Sequence, residues 1–243
     1  MNKPTITALI TVQEIHNSAN SNLPDAHVKD FGGKPLFQLM IDKLLGVQSI
    51  DKIVVTTDSE KVRKIYANNA KISLIPLPDA ATLSAENSAE RILEDMPTSD
   101  WFTAHALKKT AGEHFMQTQC INPLLSVQTI EAAIEQYYNY VLNDEYQQFD
   151  SVMSLCRVEK RLYDNSKYPK PVTLRNEPHF VIFEDTVFNL FNRTSFQKNN
   201  RQKLGKNPMF FEVPEIESLA VESPVSYKLA KLAFEHKNRF NMD

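Results

Sequence analysis

The sequence predicts an α/β protein built on a doubly wound, mostly parallel sheet, and three observations carry that expectation. Short apolar β-branched runs, such as Ile53-Val54-Val55, read as strands buried on both faces. Between them lie stretches with helical spacing, such as Leu36, Phe37, Met40, Ile41, Leu44 and Leu45. The two types alternate along the chain, the pattern of a parallel sheet with crossover helices.

The elements follow in order. Thr5–Val12 is the first strand, and Gln13 to His27 is a long polar loop rich in Asn and Ser. Gly32-Gly33 turns the chain, Pro35 opens a helix, and Gly46 stands where a left-handed C-cap would close it. Asp51–Thr56 is the next strand, and Asp58 or Ser59 can cap a second helix that carries Glu60 in its first turn. Lys71–Ile75 is a strand, a helix is expected over about Ala85–Leu93 behind Ser84, and Ala104–Phe115 has mixed character with helix as one option. Strands follow at Phe115–Gln119, Asp150–Leu155 and His179–Phe183. Ser126 caps a helix from Val127 to about Leu142 with Ile130, Ile134, Tyr137, Tyr138 and Val141 buried, and a further helix is expected over about Glu184–Phe191. A final helix would place Leu229, Leu232 and Ala233 on one side.

Composition narrows the function classes. The 243 residues are 42% hydrophobic and 23% charged, with a formal net charge of −3, enough for one sizeable core. That mild acidity argues against nucleic acid as a partner. Two isolated cysteines build neither a disulfide framework nor a zinc site. No stretch reaches membrane-spanning length, so no membrane partner is expected and a reduced, cytoplasmic protein is.

Lys29-Asp30-Phe31-Gly32-Gly33-Lys34-Pro35-Leu36, the strand end Thr56-Thr57-Asp58-Ser59-Glu60, Gln119 with Pro123-Leu124, Asp150-Ser151-Val152-Met153-Ser154 and Glu222-Ser223-Pro224 together resemble the sugar cytidylyltransferase family, which makes CMP-activated acidic sugars. The resemblance runs from Thr5 to Phe234. It implies a nucleotide-diphospho-sugar transferase (Rossmann-like) fold over residues 1–243, with 162–211 as a projecting dimerisation or lid region and a homodimer as the assembly. CTP or another nucleotide and an acidic sugar are the implied partners, and Mg²⁺ the implied cofactor.

The resemblance also places the site. Gln13 to His27 falls on the family's phosphate loop, where Gln13, Asn17, Ser18 and His27 become nucleotide-binding candidates. Ser88 and Gln119 are the further nucleotide candidates, against plain helix capping or loop polarity. Asn122 stands in a family Ser position and is a substrate candidate. Arg157, at the end of its strand, suits a sugar carboxylate, or is solvated surface. Of the family's two metal-binding Asp positions the first is Ala220 and the second Glu222, so Glu222 is the metal candidate. Departures concentrate on charge. Between Lys3 and Lys29 there is no Arg or Lys, and the family's Arg before the Ser88 position is Leu77. The basic run Arg193 to Phe211 is a lid over an anion or a solvated insertion.

Two functions therefore compete, and the sequence names no catalytic residue for either. One is transfer of CMP from CTP to a 2-keto-3-deoxy, sialic-acid-type sugar with release of pyrophosphate. The other is a catalytically silent relative that binds a nucleotide, sugar or protein partner. A glycosyltransferase is disfavoured because no D-x-D metal site is evident.

Overall fold

The computed structural model describes residues 3–13, 23, 25–78, 98–143, 145–146, 148–159, 167 and 180–236. Its elements are β1 (Ile6–Val12), β2 (Asp30–Phe31), β3 (Lys34–Pro35), α1 (Leu36–Gly46), β4 (Ile50–Thr57), α2 (Glu60–Tyr66), β5 (Ile72–Pro76), α3 (Thr98–Lys108), β6 (His114–Thr118), α4 (Val127–Tyr137), β7 (Ser151–Glu159), β8 (Phe180–Asn192), α5 (Arg193–Lys198), β9 (Pro208–Glu212) and α6 (Pro224–Glu235). Among the described residues, β5-β4-β1-β6-β8-β7-β9 form one seven-stranded sheet and β2-β3 a small hairpin. Strand β8 is antiparallel to both of its neighbours, and the other pairings in the large sheet are parallel.

Strand alternation sorts the core into two layers. Ile6, Ala8, Ile10 and Val12 of β1, with Ile53 and Val55 of β4 and Met116 of β6, meet α1, α2 and α4. Leu9, Val54, Phe115 and Phe191 point the other way, onto Ala104 and Leu107 of α3 and Phe196 of α5. Apolar residues on successive positions of β4 are thus explained: both faces are covered. The side chain of Ser126 caps α4 by accepting from Thr129 N, and the helix continues as one π-turn over Tyr138–Leu142. Its expected stripe, Ile130, Ile134, Tyr137, Tyr138 and Val141, is buried.

All six expected strands are present. The helix expected over Glu184–Phe191 is strand β8 instead. Flanked by β6 and β7, it buries Phe188 and Leu190 on one face and Phe191 on the other, and that demand outweighs the acidic helix-like start. Gly46 closes α1 as an ordinary helical residue, with Val47 as an extended C-cap, and Pro35 is the N-cap with Leu36 the first helical residue. Leu229 and Leu232 of α6 are exposed, and Ala230 with Ala233 is its buried side. The helix expected over Ala85–Leu93 lies outside the described residues. Among those described, no helix is long and apolar enough to cross a membrane.

The segment 162–211 does not stand apart from the sheet as a whole, because β8 and most of β9 fall inside it. What overhangs is a two-stranded extension, Leu155–Glu159 against Phe180–Glu184, beyond a register shift at Met153/Leu155. The basic run from Arg193 is tied to the body at Arg193 and Lys203, while Lys198 and Lys206 are exposed. Arg193 donates from Nε to Gly112 O (2.9 Å), from Nη1 to Leu107 O (2.9 Å) and from Nη2 to Thr110 O (2.6 Å), closing the end of α3. Lys203 pairs at 2.9 Å with Asp100, whose side chain is 6% exposed. Beyond them, Asp150 accepts from the backbone N of Lys206 and Asn207 and steers the loop into β9.

Removing one member of a buried ion pair leaves the other charge without compensation. Lys203→Met should therefore cost about 3 kcal/mol in denaturant unfolding. The double variant Asp100→Leu/Lys203→Met should cost clearly less than the sum of the two single changes.

Candidate functional site

Parallel registry brings several strand ends to one edge. Val12 pairs with Thr57, Thr57 with Pro76, and Ile10 with Thr118. Gln13, Asp58, Leu77 and Gln119 therefore leave the sheet side by side at its carboxyl edge, where α/β sheets bind ligands. Gln13 and Gln119 are both half-buried there.

A third apolar cluster sits over this edge and draws distant segments together. Leu23 and Ala26 from the end of the long loop, Phe31 of the hairpin, Leu36, Leu124 after β6, and Val221, Ala230 and Ala233 pack into it. Phe31 meets Phe234 edge-on at 5.2 Å and Tyr227 at 6.0 Å, and the Tyr227 hydroxyl donates to Asp30 O at 2.8 Å. Gly32 makes the approach possible. Its φ is +64°, and a Cβ there would lie 2.5 Å from the Phe234 ring.

Hydrogen bonds fix the strip before α6 against the end of β6. Val221 N donates to Ile121 O at 2.8 Å, and Asn122 Nδ2 donates to Ser218 O at 3.2 Å. The Glu217 carboxylate, 9% exposed, accepts from Ser126 N at the start of α4. From the other side, Lys43 of α1 donates to Pro123 O and, at 2.7 Å, to Leu125 O. Neither Glu217 nor Lys43 is a sequence candidate. Their only signal is a charged residue on a mostly apolar segment, too common to single out.

The candidates distribute as follows. Gln13, Gln119, Asn122 and Glu222 gather at this edge, with His27 beside Ala26 under the same cluster. His27 and Asn122 are buried, at 4% and 2% exposure. Glu222 is exposed just before Ser223, which caps α6 in a reciprocal box with Ser226. Arg157 lies apart, on the overhang of β7, with Nη2 3.0 Å from Glu212 Oε2 in a half-exposed pair. Asn17, Ser18 and Ser88 lie outside the described residues. Cys120 ends buried, and burial pushes its thiol up to about 12, which leaves it inert as a nucleophile.

Among the described residues, Lys29, Lys34 and Arg63 near this edge are engaged by the chain's own oxygens. Lys29 pairs with Asp25 at 3.0 Å, and that hydrogen bond holds the Asp25 carboxyl below its ordinary value. Lys34 pairs with Asp42 at 2.6 Å, and Arg63 donates to Thr57 O at 3.1 Å and to Glu60 at 2.9 Å. The family's Mg²⁺ position is only partly kept among the described residues. Ala220 offers no oxygen donor from its side chain, Glu222 is a single exposed carboxylate, and no group of three or more His, Cys, Asp or Glu among the described residues could hold a metal.

A family model described as cytidylyltransferase matches residues 20–170. The chain belongs to the cytidylyltransferase family. Solved structures agree on the fold of this cytidylyltransferase-family chain. A CMP:2-keto-3-deoxy-manno-octonic acid synthetase complexed with CTP superposes with a TM-score of 0.63 at 13% identity, covering 96% of this chain and 99% of that one. The 4-diphosphocytidyl-2C-methyl-D-erythritol synthase of Anaerococcus prevotii superposes with a TM-score of 0.64 at 12% identity, covering 96% and 97%. No curated protein sequence matches the chain significantly.

If Asn122 holds the strip before α6 in place, Asn122→Ala should lower stability by about 1–2 kcal/mol, the cost of leaving Ser218 O without its donor. Thermal unfolding followed by circular dichroism reads this directly. An unchanged melting temperature would mean that the strip is held by the apolar cluster alone.

Proposed function

We propose that this cytidylyltransferase-family chain holds a cytidine nucleotide at the carboxyl edge by its base and ribose, with little grip on the β- and γ-phosphates. One observation carries the reading. Among the described residues the edge presents the half-buried neutral side chains of Gln13 and Gln119, while Lys29, Lys34, Lys43 and Arg63 are engaged by Asp25, Asp42, Glu60 and backbone carbonyls. A triphosphate carries roughly four negative charges near neutral pH and gains little where no free cation meets it. Transfer of the nucleotidyl group depends on offsetting that charge as pyrophosphate leaves, and each lost donor costs roughly two to three orders of magnitude in rate. The chain is then a binding member of the family whose turnover is slow or absent.

A second reading has its own observation. The Lys29–Asp25 and Arg157–Glu212 pairs are partly or fully exposed, and such pairs are worth about 0–1 kcal/mol, so a strong anion could displace either acid. Lys29 would then meet phosphate, and Arg157 the carboxylate of an acidic sugar. The sugar hydroxyl would attack the α-phosphorus in line, forming the new P–O bond as the bond to the β-phosphate oxygen breaks. Pyrophosphate leaves with that electron pair, and the hydroxyl proton passes to solvent. Orientation by Gln13 and Gln119 is what the chain supplies to this step.

Calorimetry separates the two. The first reading expects CTP to bind no more tightly than CMP, EDTA to change neither, and Glu222→Ala to leave binding unaltered. A Mg²⁺-dependent preference for CTP of about tenfold or more, about 1.4 kcal/mol, establishes the second.

Pairing of two copies through the overhang of β7 and β8 extends the proposal. Light scattering at tens of micromolar should give a dimer mass, and a strictly monomeric species ends the idea.

A further inference from the structure

The last helix, α6, carries its large aliphatic side chains on the side away from its own core. Ala230 and Ala233 are its buried residues, while Val225 is 67% exposed, Leu229 54% and Leu232 52%. These three positions, i, i+4 and i+7, line one face of the helix. A single exposed Leu is ordinary, but a row of three large aliphatics is not explained by the chain's own packing. The inward side is already filled, with Tyr227 and Phe234 set edge-on against Phe31.

The charges beside the row suit a copy of the same helix. Lys228 and Glu235 are seven positions apart, nearly two full turns, so they share one flank of the row. Both are exposed, and neither takes part in an ion pair among the described residues. Lys231, by contrast, is drawn away to Asp30 of the hairpin at 3.7 Å. When a second copy lies antiparallel across the row, Leu229 faces the partner's Leu232. A two-fold axis between antiparallel helices keeps each flank on its own side, so the flank of Lys228 meets its own mate. In that register Lys228 stands opposite the partner's Ala233, and the partner's Glu235 lies two residues, about 3 Å, further along the axis. That is within reach of a lysine side chain, and symmetry makes the pair twice.

We propose that α6 is a contact surface for a second copy of this chain, paired antiparallel through Val225, Leu229 and Leu232, with Lys228 and the partner's Glu235 setting the register. The patch is self-complementary, as a closed two-fold pair requires. The row from Val225 to Leu232 spans only about 11 Å of helix, so the contact is small and the association weak and reversible. Its element is separate from the overhang of β7 and β8, so either contact can be lost without the other. Because Ala230 and Ala233 close the apolar cluster at the carboxyl edge, pairing of α6 braces that edge from outside.

Crosslinking on the full chain reads this contact apart from the overhang. Leu229→Cys brings a thiol close to the two-fold axis, while the native Cys120 and Cys156 are buried. A short bis-maleimide should link Leu229→Cys chains into a covalent dimer with a yield that rises with protein concentration. Ala132→Cys, an exposed change on α4, should stay monomeric under the same treatment. Added to the Leu229→Cys chain, Lys228→Glu and Glu235→Lys should each raise the concentration for half-maximal linking roughly tenfold, because both symmetric pairs become repulsive. The double change Lys228→Glu/Glu235→Lys should restore linking, since the pair is only reversed. Leu232→Asp should abolish it, with circular dichroism unchanged because the position is exposed. The proposal is overturned if Leu229→Cys chains link no more than Ala132→Cys chains, if either charge reversal leaves linking unchanged, or if the double change fails to restore it. None of these outcomes depends on nucleotide binding or on pairing through the overhang.

Discussion

The hydrogen bond from Val221 N to Ile121 O is the constraint on which the candidate site depends. It joins residues a hundred positions apart in the chain and lays the strip before α6 against the end of β6. Everything else at the carboxyl edge is referred to that contact. Asn122 and Ser218 reinforce it, Glu217 ties the same strip to the start of α4, and Leu124 and Val221 pack beside it with Leu23, Ala26 and Phe31. Because the apolar cluster includes the end of the long loop, a change at Val221 would be felt at His27 without touching it. A bond of this kind contributes only about 1 kcal/mol net, so the buried cluster supplies most of the holding energy and the hydrogen bonds supply the register.

A second theme is where the chain places its cations. Lys43 and Arg193 spend their charge on backbone carbonyls, Lys203 on a buried aspartate, and Lys29, Lys34 and Arg63 on neighbouring acids. The stabilising uses are the buried ones, since a carbonyl or carboxylate out of water has no alternative partner. The outcome is a family scaffold whose described cations near the carboxyl edge, Lys29, Lys34, Lys43 and Arg63, are held by the chain's own oxygens.

Some expectations drawn from the chain hold for local reasons and others give way to packing. Ser126 caps α4 because a hydroxyl at that position meets Thr129 N whatever the rest of the molecule does. Gly32 reads as a turn, and the Phe234 ring against it shows why no larger residue would serve. By contrast, Glu184-Asp185 followed by an apolar run is ambiguous over a short window, and pairing with β6 and β7 on both sides makes it strand. Arg193 looks like the start of a basic lid. Only the closeness of the α3 end, more than eighty positions earlier, turns it into a structural clamp.

By itself the sequence determined the fold class and the order of the sheet's first strands and helices, because alternation, capping and turn chemistry act over a few residues, and its motifs carried the membership of the family. It also determined that the loop after β1 carries no Lys or Arg, since charge is a property of composition. Only the tertiary structure decided that Asn122 is buried against Ser218, that Glu222 is exposed, and that Arg157 stands apart on an overhang beside Glu212. Those facts depend on contacts between segments tens to a hundred residues apart. Side-chain type fixes what a residue can bond to, but the packing of distant elements fixes which partner is within reach.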